Sequence, residues 1–361
     1  MSAQALLPYP EPRAADQEVT SRVQGLWNND HKFVVLSGPP GTGKTRAAED
    51  VVALNHFATK SNLNLSSSRV TRLFPDFRLR TISDEEIVAT IDQQGVKFVW
   101  DIAVLHPQYA YEDLIRGYRL EATESANSMG LKVREGILGF ISRVSTALAT
   151  RVSEAAPNST LILDEFNRAP IGQLFGEAIY SLDRRGQPVS TPYSLDGVGP
   201  EFIIPDNLQI IGTMNSIDRG TSHLDLALRR RFASIGLTSN RLAVEQAWER
   251  FGDGAVDSLH LYDALKSLIT SSRQAGEVPT NELVLGHSYF IPPTKCHDAF
   301  AAKEWLWSSY VYRMLPALVD YANQGLIEFH QPEVLSLPGG KGLNFQDLAG
   351  SEPNFALQQR S

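Results

Sequence analysis

The sequence predicts a three-layer α/β fold, in which helices cover both faces of a parallel sheet, followed by a small helical domain. Three observations support this prediction. A glycine-rich loop at residues 38–45 joins a short apolar run to a helix-compatible segment. Two further apolar runs, at residues 161–163 and 208–213, each precede polar residues, as parallel strands buried on both faces do. After about residue 240, apolar residues recur at helical spacing.

Length and composition limit the class of protein. A chain of 361 residues with 42% hydrophobic content is long enough for a full core and for two domains. Its single cysteine, Cys296, excludes an internal disulfide and a cysteine-rich zinc site. No apolar stretch approaches the ~20 residues that span a bilayer, and no signal-peptide pattern is present, so we expect a cytoplasmic protein without membrane contact. A net charge of -8 argues against bulk electrostatic attraction to nucleic acid.

The loop at residues 38–45 has the spacing G-x-x-x-x-G-K-T, which is typical of a phosphate-binding loop between a strand and a helix. Backbone N–H groups of such a loop and the start of the following helix bind the phosphates of a nucleotide. We expect Lys44 to reach the β and γ phosphates and the Thr45 hydroxyl to hold Mg²⁺. The candidate nucleotide-binding residues are Gly38, Pro39, Pro40, Gly41, Thr42, Gly43, Lys44 and Thr45.

Two adjacent acids, Asp164 and Glu165, follow the apolar run at residues 161–163. Because neighbouring side chains of a strand point to opposite sides, Asp164 can face Mg²⁺ while Glu165 turns towards the γ-phosphate and polarises the attacking water. The run at residues 208–213 leads to Asn215, which we expect to hydrogen-bond the same water and the γ-phosphate. Acids after a strand are common, but about 120 residues after a phosphate-binding loop they indicate nucleotide hydrolysis.

Three consecutive arginines, Arg229, Arg230 and Arg231, end an apolar helical segment. In one interpretation they interact favourably with the helix dipole and have no further role. In the other, Arg230 or Arg231 enters the nucleotide site of an adjacent subunit and neutralises charge that develops during phosphoryl transfer. The second interpretation requires an oligomer.

Other segments give expectations about local structure. Ser83 and Glu86 have the spacing of a capping box that starts a helix. Residues 105–120 resemble a loop that enters a short helix. We also predict an exposed loop at residues 121–135, one helix at residues 171–182 and a hairpin or loop at residues 183–206.

These elements predict the domain organisation. The predicted parts are a flexible N-terminus (1–14), a nucleotide-binding domain (15–238) with an insertion at about 56–81, a helical lid (239–330) and a flexible C-terminal tail (331–361). The insertion is interpreted as solvated, with a contact surface for nucleic acid or a partner as the alternative. In the lid, His287 is a candidate for sensing the nucleotide, and a purely structural role is the alternative.

The ordered motifs GPPGTGKT, LHPQYAYEDLIRGYRL, LILDEFNRA, FGEAIYSLDRRG, IIGTMNSIDR and LALRRRF resemble the AAA+ module of the McrB-like NTPases. These are motor subunits of modification-dependent restriction systems, within a dynein-related and MoxR-like branch. The resemblance extends from Val19 to the mid-320s and includes VLGHSYFIPP in the lid. It implies a hexameric ring that hydrolyses GTP or ATP with Mg²⁺ and works with a separate McrC-like nuclease. It also makes Asp218 and Arg219 site candidates and leaves contact with DNA, through the ring or a partner, open.

The chain departs from that family in two places. Ser216 and Ile217 stand where the family usually has Thr and Ala, so the choice between GTP and ATP stays open. Only about 30 residues precede the first strand, too few for the DNA-reading module that usually precedes the motor. Target recognition is therefore expected from a partner, from the insertion, or not at all. A MoxR-like protein-remodelling ATPase and a nucleotide-gated scaffold that barely hydrolyses are the competing functions.

Overall fold

The structure is a computed structural model. It describes residues 14–56, 62–64, 82–94, 96, 98–122, 129–151, 159–196, 198–217, 226–252, 254–272, 278–327, 334–336 and 342–344. The predicted flexible N-terminus and most of both the predicted insertion and the predicted tail lie outside these residues, as do Asp218 and Arg219.

The described strands form one parallel sheet and three two-stranded antiparallel sheets. In chain order they are β1 (Phe33–Gly38), β2 (Asn62–Asn64), β3 (Phe98–Val104), β4 (Arg116–Ala122), β5 (Met129–Glu135), β6 (Ser159–Asp164), β7 (Val189–Leu195), β8 (Gly199–Phe202), β9 (Leu208–Asn215), β10 (Ala233–Gly236), β11 (Val334–Ser336) and β12 (Gly342–Asn344). The large sheet has six strands in the order β10-β1-β9-β6-β3-β2, and every neighbouring pair is parallel.

Helices pack on both faces of the large sheet. The α-helices in this part of the chain are Ala14–Asn28, Lys44–His56, Asp84–Gln94, Tyr111–Leu114, Ile137–Ala149, Ile171–Phe175, Ala178–Asp183 and Leu226–Arg229. Alternate residues of β1 belong to different hydrophobic clusters. Val34 and Leu36 pack with the first two helices, whereas Phe33 and Val35 pack with the cluster on the opposite face. This alternation confirms the predicted three-layer arrangement.

The C-terminal helices pack around a second hydrophobic cluster, which Ile217 also joins. They are Arg241–Trp248, Gly254–Ser271, Thr280–Leu283, Ala299–Ser309 and Leu315–Asn323, with a π-helical turn at Tyr310–Met314. Trp248 is fully buried in this cluster and donates its indole N–H to the carbonyl of Phe290 at 2.7 Å. The fold class predicted from the sequence, a parallel α/β sheet followed by a helical part, is therefore confirmed.

Among the described residues, no helix combines the length and the apolar character needed to cross a membrane.

Several local predictions are confirmed. The hydroxyl of Ser83 accepts the Glu86 backbone N–H at 3.3 Å, and the Glu86 carboxylate accepts the Ser83 backbone N–H at 3.2 Å, as in a capping box. The predicted short helix forms at Tyr111–Leu114. The predicted hairpin within residues 183–206 is β7–β8.

The loop predicted at residues 121–135 is wrong for much of its length. Residues Arg116–Ala122 and Met129–Glu135 form the antiparallel pair β4–β5. One face of this pair is apolar, yet Tyr118, Leu120 and Leu131 are all more than half exposed. Apolar and polar residues alternate along these strands, but the exposed apolar residues pack against no core. The sequence pattern therefore indicated a loop instead of strands.

The single helix predicted at residues 171–182 is also wrong. It is divided into Ile171–Phe175 and Ala178–Asp183 by Gly176, which has φ 48° and ψ −128°. A Cβ at Gly176 would lie 3.1 Å from the ring of Tyr111. This conformation and close approach favour glycine, so the chain breaks where Tyr111 packs.

Two regions predicted to lack regular structure contain strands. Asn62–Asn64 of the predicted insertion pairs with β3 and forms an edge of the large sheet. Val334–Ser336 pairs with Gly342–Asn344 in the predicted flexible tail. Short strands give little periodic signal, which is why the sequence pattern missed them.

A buried ion-pair network joins the β4–β5 hairpin to the main body. Glu135 is fully buried and lies 2.7 Å from a guanidinium nitrogen of Arg143 and 3.4 Å from one of Arg116. Burial raises the pKa of the Glu135 carboxyl, while the two guanidinium groups act in the opposite direction. Arg116 also donates to the carbonyl of Gly199 at 2.9 Å, and Arg143 pairs with Asp84. Through Arg116 and Arg143, the Glu135 carboxylate therefore connects the hairpin to β8, to the helix Asp84–Gln94 and to the helix Ile137–Ala149.

We predict that Glu135→Gln lowers the free energy of unfolding by about 3 kcal/mol, because it leaves buried guanidinium charge uncompensated. Urea denaturation at pH 7 measures this change. Lys132→Ala, an exposed position on the same hairpin, is the control and is expected to change stability by less than about 0.5 kcal/mol. Equal stability of Glu135→Gln and the unsubstituted protein would contradict the role of the network.

Candidate nucleotide-binding site

The sheet brings three predicted site segments to one edge. Gly38 at the end of β1 is paired with Asn215 at the end of β9. On the other side of β9, Leu163 of β6 is paired with Gly212. Since parallel strands end at the same edge, residues 38–45, the acids after β6 and Asn215 lie together. This is the edge at which open α/β sheets bind ligands.

The glycines of the phosphate-binding loop have the conformation that such a loop requires. Gly41 and Gly43 have φ values of 79° and 76°. A Cβ at Gly38 would lie 2.2 Å from the Leu237 carbonyl oxygen, so a larger residue does not fit there. The Lys44 ammonium donates to the carbonyls of Gly38 and Pro39 at 3.0 and 2.9 Å. These bonds hold the lysine across its own loop, where a phosphate could replace the carbonyls.

A hydrogen-bond cluster connects the loop to the acid-bearing strand. The hydroxyls of Thr45 and Thr213 both donate to Oδ1 of Asp164, at 2.7 and 2.5 Å. Thr213 in turn accepts the Glu165 backbone N–H at 3.2 Å. The structure therefore brings together Thr45 and Asp164, the two predicted Mg²⁺ ligands. Thr213 was not identified from the sequence, although its position two residues before Asn215 places both on the same face of β9.

Glu165 points away from this cluster. It is one of two described non-glycine residues with positive φ, at φ 57° and ψ 45°. Its Oε2 accepts Nδ2 of Asn215 at 3.2 Å and lies 3.0 Å from Nε of Arg168. As expected, the two acids have different partners: Asp164 contacts Thr45 and Thr213. Glu165 lies beside Asn215. Sequence reasoning missed Arg168, although its spacing of three residues from Glu165 is a detectable signal within a turn.

The lid contacts the phosphate-binding loop through its backbone. The N–H groups of Gly286 and Ser288 donate to the carbonyls of Pro40 and Gly41 at 3.2 and 2.9 Å. Between them, His287 accepts the Asn240 backbone N–H at 3.4 Å through Nδ1. A Cβ on Gly43 would lie 3.4 Å from Nε2 of His287. His287, a candidate from the sequence, is therefore placed against the loop.

A cavity of about 290 Å³ lies beside the loop. Its lining includes Arg22 from the first helix, Thr42 from the loop, and Tyr262, Lys266 and His287 from the lid. Separate segments of the chain form this cavity, so no local sequence pattern identified it. Its position next to the phosphate-binding loop is suited to the base and sugar of a nucleotide.

The two candidate arginines have different environments. Arg231 has only 8% of its side chain exposed and forms an ion pair with Asp183. The side chain of Arg230 is 67% exposed, with its guanidinium 3.7 Å from the same carboxylate. The helix that precedes them is described only from Leu226 to Arg229. Of these two candidates, Arg230 is therefore the one presented to solvent.

The oxygen atoms of Thr45 and Asp164 are compatible with Mg²⁺, which prefers oxygen ligands and keeps several waters. The part of the chain that the structure describes contains no group of three or more His, Cys, Asp or Glu side chains able to hold a metal ion. A cage made of protein alone is therefore absent there. A hydroxyl and one carboxylate fit an ion that takes its other ligands from nucleotide phosphates and water.

We predict that Gly286→Ala weakens the binding of a fluorescent triphosphate analogue by about tenfold or more, because it removes lid hydrogen bonds worth about 1 kcal/mol each. A Cβ at this position would lie 2.0 Å from the Gly41 carbonyl carbon. Gly25→Ala is the matched control, since nothing lies within 4 Å of its Cβ position. If both variants bind the analogue like the unsubstituted protein, the lid contact has no part in binding.

Comparison with known proteins agrees with this architecture. Residues 85–232 match the AAA domain family, dynein-related subfamily. The chain is 29% identical over 210 residues to the type IV methyl-directed restriction enzyme EcoKMcrB subunit of Escherichia coli (strain K12), covering 57% of this chain and 35% of that protein. It is 28% identical over 159 residues to the type II restriction enzyme BsuMI component YdiS of Bacillus subtilis (strain 168), covering 40% of this chain and 45% of that protein.

The chain thus spans less than half the length of both relatives. The family match begins after the candidate phosphate-binding loop at residues 38–45, whose spacing and glycine conformations are the observations that support it. The order of motifs, the parallel sheet with its helical part, and these similarities agree with one another. The chain is therefore similar to dynein-related AAA domains over residues 85–232 and to McrB-like restriction proteins over part of its length.

Proposed function

We propose that this protein is a Mg²⁺-dependent nucleoside triphosphatase that works as the ring-forming motor subunit of a restriction complex. The observation that carries this proposal is the convergence of Lys44, Thr45, Asp164, Glu165 and Asn215 at one edge of the sheet. Such a set contains a phosphate-binding lysine, metal ligands, an acid and a water-orienting amide. Together they are the parts that phosphoryl transfer to water requires.

The proposed reaction is attack of water on the γ-phosphate. Lys44 would leave the carbonyls of Gly38 and Pro39 and bind the β and γ phosphates. Thr45 and Asp164 would hold Mg²⁺, which supplies charge neutralisation at the phosphates when bound. Glu165 would accept a hydrogen bond from the water and polarise it, while Asn215 orients the water. The cavity beside the loop would take the base, and both GTP and ATP remain candidate substrates.

Removal of the acid tests hydrolysis directly. We predict that Glu165→Gln lowers turnover of GTP or ATP by at least about 10²-fold, because the amide cannot polarise water as a carboxylate does. Phosphate release measures this, with binding of a triphosphate analogue expected to persist. Glu201→Gln, at an exposed position in β8, is the control. A nucleotide-gated scaffold would lose little activity in either variant, and that result would contradict the proposed enzyme.

The proposed oligomer places an arginine of one subunit at the nucleotide of the next. The exposure of Arg230 favours it for this role, whereas Arg231 is buried beside Asp183. An arginine that acts in this way contributes about 10³- to 10⁵-fold to the rate. Arg231 is assigned to positioning the turn that carries Arg230.

We predict that Arg230→Ala is inactive alone and that mixing it with Lys44→Ala restores part of the activity. In the mixture, a Lys44→Ala subunit supplies Arg230 to the intact phosphate-binding loop of its neighbour. Phosphate release from each variant and from the mixture measures this complementation. Activity that stays absent in the mixture would contradict action between subunits, and so would full activity of Arg230→Ala alone.

The restriction role is proposed from similarity to the EcoKMcrB subunit and the BsuMI component. The proposed assembly is a hexameric ring that binds a separate McrC-like nuclease in the cytoplasm and moves or remodels DNA. Residues 15–238 would form its nucleotide-binding domain and residues 239–330 its lid, in agreement with the separate hydrophobic clusters. A MoxR-like protein-remodelling ATPase would hydrolyse nucleotide at a rate independent of DNA and nuclease, so measuring turnover with both present separates the two functions.

A further inference from the structure

Asp183 is an acid that contacts both candidate arginines and has no role in the proposed mechanism. It lies at the end of the helix Ala178–Asp183. Its Oδ2 accepts a hydrogen bond from the guanidinium of Arg231, and a guanidinium nitrogen of Arg230 lies 3.7 Å from the same oxygen. One carboxylate therefore faces two guanidinium groups.

The two arginines share this carboxylate unequally. The Arg231 side chain is largely buried, and charges that are shielded from water attract each other more strongly than exposed charges. Arg230 is mostly exposed and lies beyond hydrogen-bond distance of Oδ2. Asp183 therefore holds Arg231, while Arg230 stays beside the pair without being bound by this oxygen.

The backbone that carries the two arginines lies between buried residues. The N–H groups of Arg231 and Phe232 donate to the carbonyl of Leu228 at 2.9 and 3.1 Å. Leu228 and Phe232 are both buried, and the Phe232 ring centre lies 5.1 Å from that of Phe166. With the backbone held in this way, the direction of the Arg230 side chain depends on the groups around it, of which Asp183 is the acid.

The helix Ala178–Asp183 that carries the acid is held near both ends. Just before the helix, the Glu177 carboxylate accepts the hydroxyl of Tyr111 at 2.5 Å. Just after it, the Arg184 guanidinium lies over the ring of Tyr180, 4.6 Å from the ring centre. Asp183 is therefore presented to the arginines from a support that is bonded to another part of the domain.

We propose that Asp183 is a positioning residue that binds Arg231 and thereby directs Arg230 towards the nucleotide of the neighbouring subunit. This inference rests on the proposed function, because it assigns Arg230 to the chemistry. Without the acid, Arg231 would be a largely buried charge without its compensating carboxylate, and it would move towards water. The turn would move with it, and Arg230 would lose its direction. Asp183 acts through the arginines and not on the nucleotide itself.

The first test compares Asp183→Asn with the unsubstituted full chain in steady-state phosphate release. We expect kcat to fall by at least about tenfold, since a misplacement of about 1 Å at a reacting centre can cost about 10²-fold. KM and analogue binding should stay unchanged, because residues 38–45 of the same subunit are intact. Asp183→Glu keeps the charge and should recover part of kcat. Asp92→Asn is the matched control, since Asp92 is 52% exposed, against 45% for Asp183, and pairs with Arg151 at 3.5 Å.

Mixed subunits show whether Asp183 serves the neighbouring site. When Asp183→Asn is mixed with Lys44→Ala, a Lys44→Ala subunit supplies a correctly directed Arg230 to the intact loop of its Asp183→Asn neighbour. The rate of the mixture should therefore exceed the mean of the two separate rates. A role of Asp183 confined to the folding of its own subunit would give no such gain.

Arg231→Gln breaks the same ion pair from the other side, and it keeps the test available if Asp183→Asn does not fold. Since the acid is proposed to act through Arg231, the double variant Asp183→Asn/Arg231→Gln should have a kcat no lower than that of the weaker single variant. Losses that multiply in the double variant would contradict action through Arg231.

An unchanged kcat in Asp183→Asn would overturn the inference, and so would a loss that Lys44→Ala subunits do not restore. The Arg230→Ala variant keeps this failure distinct from failure of the proposed function. If Arg230→Ala is inactive and is restored by Lys44→Ala while Asp183→Asn keeps full activity, only the inference about Asp183 is wrong. If Arg230→Ala keeps full activity, the proposed action between subunits is itself wrong.

Discussion

The hydrogen bonds that converge on Asp164 are the interaction on which the site depends. Thr45 begins the helix after the phosphate-binding loop, Asp164 ends β6, and Thr213 lies near the end of β9. Both hydroxyls donate to the same carboxylate oxygen, so three segments distant in sequence share one atom. The parallel register makes this meeting possible, because it ends β1, β9 and β6 at one edge. The adjacent Glu165 is then directed to a different set of partners.

The lid is joined to the same site by backbone groups rather than by a side-chain ion pair. Gly286 and Ser288 donate to carbonyls of the phosphate-binding loop, and the Ser309 hydroxyl donates to the Tyr289 carbonyl at 2.8 Å. These hydrogen bonds connect the loop to the residue before the π-helical segment and, through that segment, to the lid core. Because P-loop proteins use nucleotide state to move such elements, this short connection provides a physical route from the nucleotide to the lid.

The sequence predicted those features whose signal is local. The spacing of residues 38–45 is enough by itself to predict a phosphate-binding loop, and continuous apolar runs mark strands buried on both faces. What it missed depends on distant contacts. The break at Gly176 follows from the packing of Tyr111, and the cavity beside the loop needs the first helix and the lid together. The β4–β5 hairpin was missed because its apolar face is exposed and pairs with no core element. Arg168 gains its significance only once Glu165 is seen to turn towards it.

The central claim is that Thr45 and Asp164 complete a divalent metal site only when a triphosphate is present. Mn²⁺ binding, followed by electron paramagnetic resonance with and without a non-hydrolysable triphosphate, tests it most directly. The account predicts one bound Mn²⁺ per subunit that appears only with the nucleotide and is lost in Thr45→Ala. Mn²⁺ that binds equally without nucleotide, or that Thr45→Ala retains in full, would contradict it.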